Sequence, residues 1–279
     1  MHIFSIDFED WYQGNAVVSH TEKLKYSPRL LECYEHLKTI LNLSQTRATI
    51  FVLGHVAREN KKIIKELYDN GHEIASHGFS HRLIYNQQKN EFKAEALESK
   101  HILEDIISAP VMGYRASNWS ITDKSLWALD ILKEIGFEYD SSVYGVKNYL
   151  YGIRDAPSKP YYHSNGLYEI PPSYLKLGAL NIPYAGGFYI RALPKWLINS
   201  IYQLKKDDYN MTYIHPWELD TDPPKGLPLT RLEEFIHYYG IKTSRTKLDM
   251  ILNNYNHKSI MMSIDHLKTQ YHSTVNLGE

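Results

Sequence analysis

Apolar and polar positions along the chain follow two periods, one near two residues and one near 3.6. "HIFSID" (2–7), "ATIFVLG" (48–54), "HEIAS" (72–76), "LYEI" (167–170), "GFYI" (187–190) and "MTYIH" (211–215) are short runs rich in β-branched or aromatic residues, and each predicts a strand. Between them the pattern turns helical. Ser27-Pro28 predicts an N-cap and first-turn proline for a helix bearing Leu30, Leu31, Tyr34, Leu37 and Leu41. Residues 56–69 and 89–107 repeat the pattern, and Thr122 opens a helix that Gly136 closes. Thr230-Arg231-Leu232-Glu233 is a capping box, followed after Gly240 by a short helix near 244–253. Strands alternating with helices predict parallel β/α units, and their number favours a closed or nearly closed barrel.

A chain of 279 residues suits one such barrel. The expectation is a single domain over 1–279, with an excursion near 140–190 and a helical extension near 220–279. The excursion carries Pro157, Pro160, Pro171 and Pro172, and it is dense in tyrosine: Tyr144, Tyr149, Tyr151, Tyr161, Tyr162, Tyr168, Tyr174, Tyr184 and Tyr189. A flat apolar face with a polar tip suits a sugar ring, but packing of irregular connections would use the same residue. Lys plus Arg is 31 against 32 for Asp plus Glu, so no nucleic acid or anionic membrane partner is expected. The single cysteine, Cys33, excludes an internal disulfide and suits a reducing compartment. No run approaches the roughly 18 apolar residues of a membrane span. The first strand begins without a basic stretch and apolar signal region, so a cytoplasmic protein is expected.

Chemistry in β/α barrels collects at the C-terminal ends of the strands. "FSIDFEDWYQ" ends the first strand with Asp7, Glu9 and Asp10, and Trp11 and Tyr12 stand directly behind them. Like charges so close repel unless a cation or proton is shared. "HEIASHGFSH" ends the third strand with His77 and His81, and Gly78 argues for a loop that turns both rings inward. Two histidines plus a carboxylate hold Zn²⁺ or a similar ion and leave a position for water. "GYRASNWSIT" places Arg115 after a short apolar run, "GFEYDSS" places Asp140, and "YIHPWELD" places His215 on a late strand. There Pro216 and Trp217 would shape a pocket wall.

The order of acid cluster, His-x-x-x-His, arginine loop, Asp-Ser and late histidine resembles the polysaccharide deacetylases of the NodB-homology family. The likeness covers most of the chain, with "ATIFVLGHVA", "HEIASHGFSH", "GYRASNWSIT", "YDSSVY" and "YIHPWELD" in family order. "IDFEDWY", "HPWELD" and the tail look most like the subgroup associated with bacterial exopolysaccharide and exosortase loci. The resemblance implies a distorted (β/α) barrel of about seven strands and a divalent metal, first Zn²⁺, with Co²⁺, Ni²⁺ or Mn²⁺ as alternatives. It implies deacetylation of N-acetylamino sugars in a cell-surface polysaccharide or its precursor. Carried over by position, His77 and His81 are metal ligands with Asp10 the favoured third, and Asp7 is the general base held by Arg115. His215 is then the general acid with Asp140 setting its protonation, and Trp11, Tyr114 and Trp217 lie beside the substrate. Many relatives have two adjacent aspartates where this chain reads Asp-Phe-Glu-Asp. Glu9 therefore stays open as base or as ligand. Two other readings remain: a hydrolase of another non-peptide C–N bond, of the ureide type, and an inactive barrel that only binds glycan.

Overall fold

The computed structural model describes residues 1–13, 27–227 and 229–278. Strands β1 (His2–Phe8), β2 (Thr49–Val52), β3 (Glu73–Ser76), β4 (Gly113–Tyr114) and β5 (Tyr139–Asp140) pair in parallel. After β6 (Tyr161–His163), β7 (Tyr168–Glu169) continues the sheet beside β5. A separate hairpin of β8 (Tyr174–Leu177) and β9 (Leu180–Pro183) follows, and β10 (Asn210–Ile214) then joins the far side of β1. The order β10-β1-β2-β3-β4-β5-β7 is parallel throughout, a distorted barrel of the expected kind. β6 adds antiparallel to β7, while β11 (His257–Lys258) and β12 (Thr274–Val275) pair with β1 and β6. Hydrogen bonds from the segment after β7 span the seam to β10: Tyr209 Oη donates to Pro171 O at 2.5 Å, and Met211 N donates to Ser173 Oγ at 2.8 Å.

Alternation along each strand divides the core in two. Phe4, Ile6, Phe8, Ile50, Val52, Ile74 and Tyr114 point outward into the layer between sheet and helices. Ile3, Phe51, Ala75, Tyr139, Tyr168, Ile170 and Met211 point inward and pack with one another. The outer layer is covered by α1 (Leu30–Ser44), α2 (Gly54–Glu59), α3 (Lys61–Asp69), α4 (Lys89–Ile107) and α5 (Trp127–Ile135). Gly136 ends α5 in the left-handed conformation, as expected, but the helix begins at Trp127 and is not capped by Thr122. α6 (Gly187–Ala192), α7 (Lys195–Leu204), α8 (Arg231–Tyr238), α9 (Ile241–Asn254) and α10 (Ile264–Gln270) complete the chain. None of the described helices is long and apolar enough to cross a membrane.

Several expectations change. "GFYI" is not a strand; Gly186 bridges to Tyr213 beside β10, and the chain then turns into α6. Ser27-Pro28 does not cap α1, whose first N–H groups are instead held by Asp10. The helical pattern at 56–69 breaks at Asn60 into α2 and α3. The C-terminal extension is not wholly helical, because β11 and β12 return to the sheet. In the tyrosine-dense stretch Tyr144, Tyr161, Tyr168, Tyr174 and Tyr184 are buried, so most of it packs the fold rather than offering a sugar platform.

Candidate active site

The inward positions at the strand ends converge at one mouth of the barrel. β1 delivers Asp7, and the tight turn just beyond the strand, with Glu9 N donating to Asp7 O at 3.0 Å, delivers Glu9. The loop after β3 delivers His77 and His81, and its backbone is unusual: Gly78 has φ +78° and His81 has φ +59°. A non-glycine residue held in the left-handed region is strained by roughly 1–3 kcal/mol, and such residues concentrate at functional sites. His77 Nδ1 donates to Arg115 O at 2.8 Å, which turns Nε2 toward Glu9. Glu9 Oε2 lies 2.7 Å from His81 Nε2 and 3.8 Å from His77 Nε2. Ligand atoms of Glu9, His77 and His81 all lie within 4.8 Å of one another, and all three residues are buried.

That donor set suits a divalent cation. Glu9 Oε2 is buried without a well-directed hydrogen bond despite the short approach of His81. Burial would raise the pKa of Glu9, but His81, with help from His215 and His77, holds it down to about 2. Burial also lowers the pKa of His77, favouring the neutral ring that ligation needs. Asp10 is corrected from its expected role as ligand. Its Oδ2 accepts from Arg29 N at 2.8 Å and Leu30 N at 3.1 Å, and Oδ1 accepts from Trp11 N at 2.8 Å. Its carboxylate thus satisfies the first N–H groups of α1 from another part of the chain, at the helix end where Arg29 is the N-cap residue.

Opposite the ligand cluster, Arg115 lies fully buried in the barrel. Its Nη1 donates to Asp7 Oδ1 at 2.7 Å, and Nη2 donates to Ser141 Oγ at 3.0 Å. The guanidinium rests on the Phe51 ring at 4.0 Å. His215 follows β10, and its Nε2 is 3.6 Å from Glu9 Oε1 and 3.9 Å from Asp7 Oδ2. Its Nδ1 is 3.3 Å from Glu218 Oε2, while Glu218 Oε1 accepts from Arg191 Nε at 2.8 Å. Burial alone would lower the pKa of His215, but Glu218, then Glu9 and Asp7, raise it to about 9.

Asp140 is not the partner of His215. Strand parity sends Tyr139 and Ser141 inward and Asp140 outward, where Ser142 Oγ donates to it at 2.6 Å. Burial, then the neighbouring Glu169, pushes its carboxyl well above the usual range. Tyr114 is likewise corrected, because it alternates with Arg115 and is buried outside the barrel against Phe92 and Phe137. Trp11 is buried, with its ring edge-on to Tyr12 and His237, so it packs beneath the rim. Trp217, half-buried, stacks on His215 at 5.4 Å and on His237 at 5.0 Å. Sequence reasoning missed Glu218, Arg191 and Ser141. For Glu218 a signal existed, since His215-Pro216-Trp217-Glu218 has capping-box spacing.

Comparison with known proteins bears on the fold and on the kind of protein. Residues 13–139 match the family model described as polysaccharide deacetylase, and residues 141–265 match a domain of unknown function (DUF3473). A peptidoglycan deacetylase of Helicobacter pylori is 28% identical over 118 residues, 42% of this chain and 36% of that relative. A peptidoglycan-N-acetylglucosamine deacetylase of Bacillus cereus is 24% identical over 113 residues, 40% of this chain and 48% of the relative. The chain thus spans less than half the length of these relatives. A crystal structure from Mycobacterium smegmatis, provisionally assigned as a polysaccharide deacetylase, superimposes with a TM-score of 0.64 at 17% identity, covering 96% of this chain and 90% of the other. The family model and the relatives support the polysaccharide deacetylase family for the first half of the chain, and the solved structure shows the same fold across both halves.

Proposed function

We propose that this chain is a divalent-metal-dependent hydrolase that removes acetyl groups from N-acetylamino sugars. The substrate proposed is a bacterial cell-surface polysaccharide or its precursor, in exopolysaccharide biosynthesis. The observation that carries the reading is the juxtaposition at one barrel mouth of three elements: the Glu9–His77–His81 cluster, a carboxylate fixed by arginine, and an imidazole fixed by a carboxylate. The names of the two relatives point to the same bond.

A divalent ion held by Glu9, His77 and His81 would polarise the acetamide carbonyl and lower the pKa of water from about 16 towards about 7. Asp7 keeps Oδ1 on Arg115 and has Oδ2 left to take a proton from the attacking water. His215 turns Nδ1 to Glu218 and Nε2 to the cavity, from where Nε2 can give its proton to the departing nitrogen. Trp217 beside it would bound the acetyl methyl.

The test is incubation of the metal-loaded protein with N-acetylhexosamine oligomers and polymers. Acetate and free amine should appear in step and stop after chelation. Consumption of a ureide such as allantoin without acetate release would replace this reading, and metal-free protein that only binds glycan would replace both.

A further inference from the structure

The residues that orient His215 all lie in the stretch matching the domain of unknown function, and they form one buried assembly. Arg191, on α6, is 2% exposed, and each of its three side-chain nitrogens donates a hydrogen bond. Nε donates to Glu218, Nη1 donates to His237 O at 3.1 Å and Tyr239 O at 2.6 Å, and Nη2 donates to Ile236 O at 3.0 Å. The guanidinium therefore ties the free carbonyls at the end of α8 to the carboxylate that faces His215. It also lies 5.4 Å from the Trp217 ring centroid, beneath the stack on His215. On the opposite side Glu218 Oε2 accepts from His215 N at 3.0 Å, and α6 begins at Gly187 directly against the Glu218 carboxylate. Glu218 is thus clamped by charge, by backbone and by a glycine that leaves it room.

We propose that Arg191 is a positioning residue for proton delivery, and that it acts through Glu218 to fix the tautomer and direction of the His215 ring. This is what the region of unknown function would contribute: the proton-donor side of a site whose ligands come from the first half of the chain. The inference rests on the deacetylase reading for its kinetic part only. When the C–N bond breaks, the nitrogen leaves as an amine by taking a proton from His215 Nε2, and the acyl group becomes acetate. An aryl acetate needs no such proton, because a phenolate leaves unaided.

The experiment compares wild type with Arg191→Lys and Glu218→Gln, metal-loaded, on an N-acetylhexosamine oligomer and on an aryl acetate. On the acetamide kcat should fall about 10²-fold or more in both variants, the range of a lost general acid, with KM changed less than twofold. On the aryl acetate the loss should be at least tenfold smaller. Nitrogen NMR of the His215 ring gives a readout independent of turnover, and the Nδ1 resonance should move in both variants. Equal losses on the two substrates, or an Nδ1 resonance unchanged in both, overturns the proposal. Wild type inactive on every acetylated glycan sinks the deacetylase reading alone, and the NMR comparison then decides the role of Arg191.

Discussion

Glu9 and Asp10 are adjacent carboxylates, both buried, yet their surroundings pull them apart. Burial raises both, but Glu9 faces imidazoles that bring it down to about 2, whereas Asp10 is left at about 6 by burial only partly offset by backbone N–H donors. A cation site and a helix cap are thus separated by one peptide unit. Glu9→Ala should abolish tight metal binding, while Asp10→Ala should keep the metal and lose about 0.5–2 kcal/mol of stability, the usual cost of an N-cap. Elemental analysis and denaturant melts of the two variants check this, and the reverse pattern would restore Asp10 as ligand. At this scale the residue types were legible, because acids and imidazoles at strand ends stand out. Which acid faced inward was not. β1 ends at Phe8, and the turn beyond it carries Glu9 toward the histidines and Asp10 toward α1, a choice that depends on where α1 begins. For Tyr114 and Asp140 the information was present. With Arg115 inside, alternation alone puts Tyr114 outside, and the same count on "EYDSS" puts Ser141, not Asp140, beside the arginine.

Elements with strong local signals came out as their sequences suggest. α4 spans Lys89–Ile107, the range its periodicity predicts, and α8 opens on the capping box of Thr230 and Glu233. α6 departs from its local signal, since "GFYI" has the composition of a strand and only six residues carry the helix. Its conformation is set by tertiary partners, with Ile190 in the core and Arg191 on Glu218, which no local propensity records. Gly187 makes the dependence testable. A Cβ there would lie 2.0 Å from Glu218 Oε2. The end of a free glutamate could swing aside, but this one is held by Arg191 and by His215 N, so relief must come from the backbone of α6. Gly187→Ala should cost about 1–3 kcal/mol, the range for overpacking. It should also lower kcat on the acetamide while leaving bound metal unchanged. Thermal melts, metal content and acetate release measure the three, and unaltered stability would show that the contact yields freely.

Across the whole molecule, the barrel separates stability from chemistry along its axis. Its C-terminal mouth gathers Asp7, Glu9, His77, Arg115 and His215, whereas its other end is closed by the last part of the chain. Ile260 N donates to Thr49 Oγ1 at 2.7 Å and Met261 N to Glu73 Oε2 at 2.9 Å, at the first residues of β2 and β3. From α10, Ile264 and Leu267 enter the interior cluster with Ile3, Tyr168 and Tyr209. The barrel class was legible from the alternation of strands and helices, but this closure was not, since "SIMMSIDHL" shows apolar periodicity without saying which face of the sheet receives it. Leu267 is fully buried in the cluster that holds Ile3, near the start of β1, whereas Asp7 and Glu9 stand at that strand's other end. Leu267→Ala should therefore cost about 2–5 kcal/mol through lost burial and a residual cavity. Metal content and kcat at a temperature well below the melt should stay at wild-type values, because independent sites add without coupling. A loss of kcat in folded, metal-loaded Leu267→Ala would mean that packing at the closed end is transmitted to the mouth, and that the two ends of this barrel act as one unit.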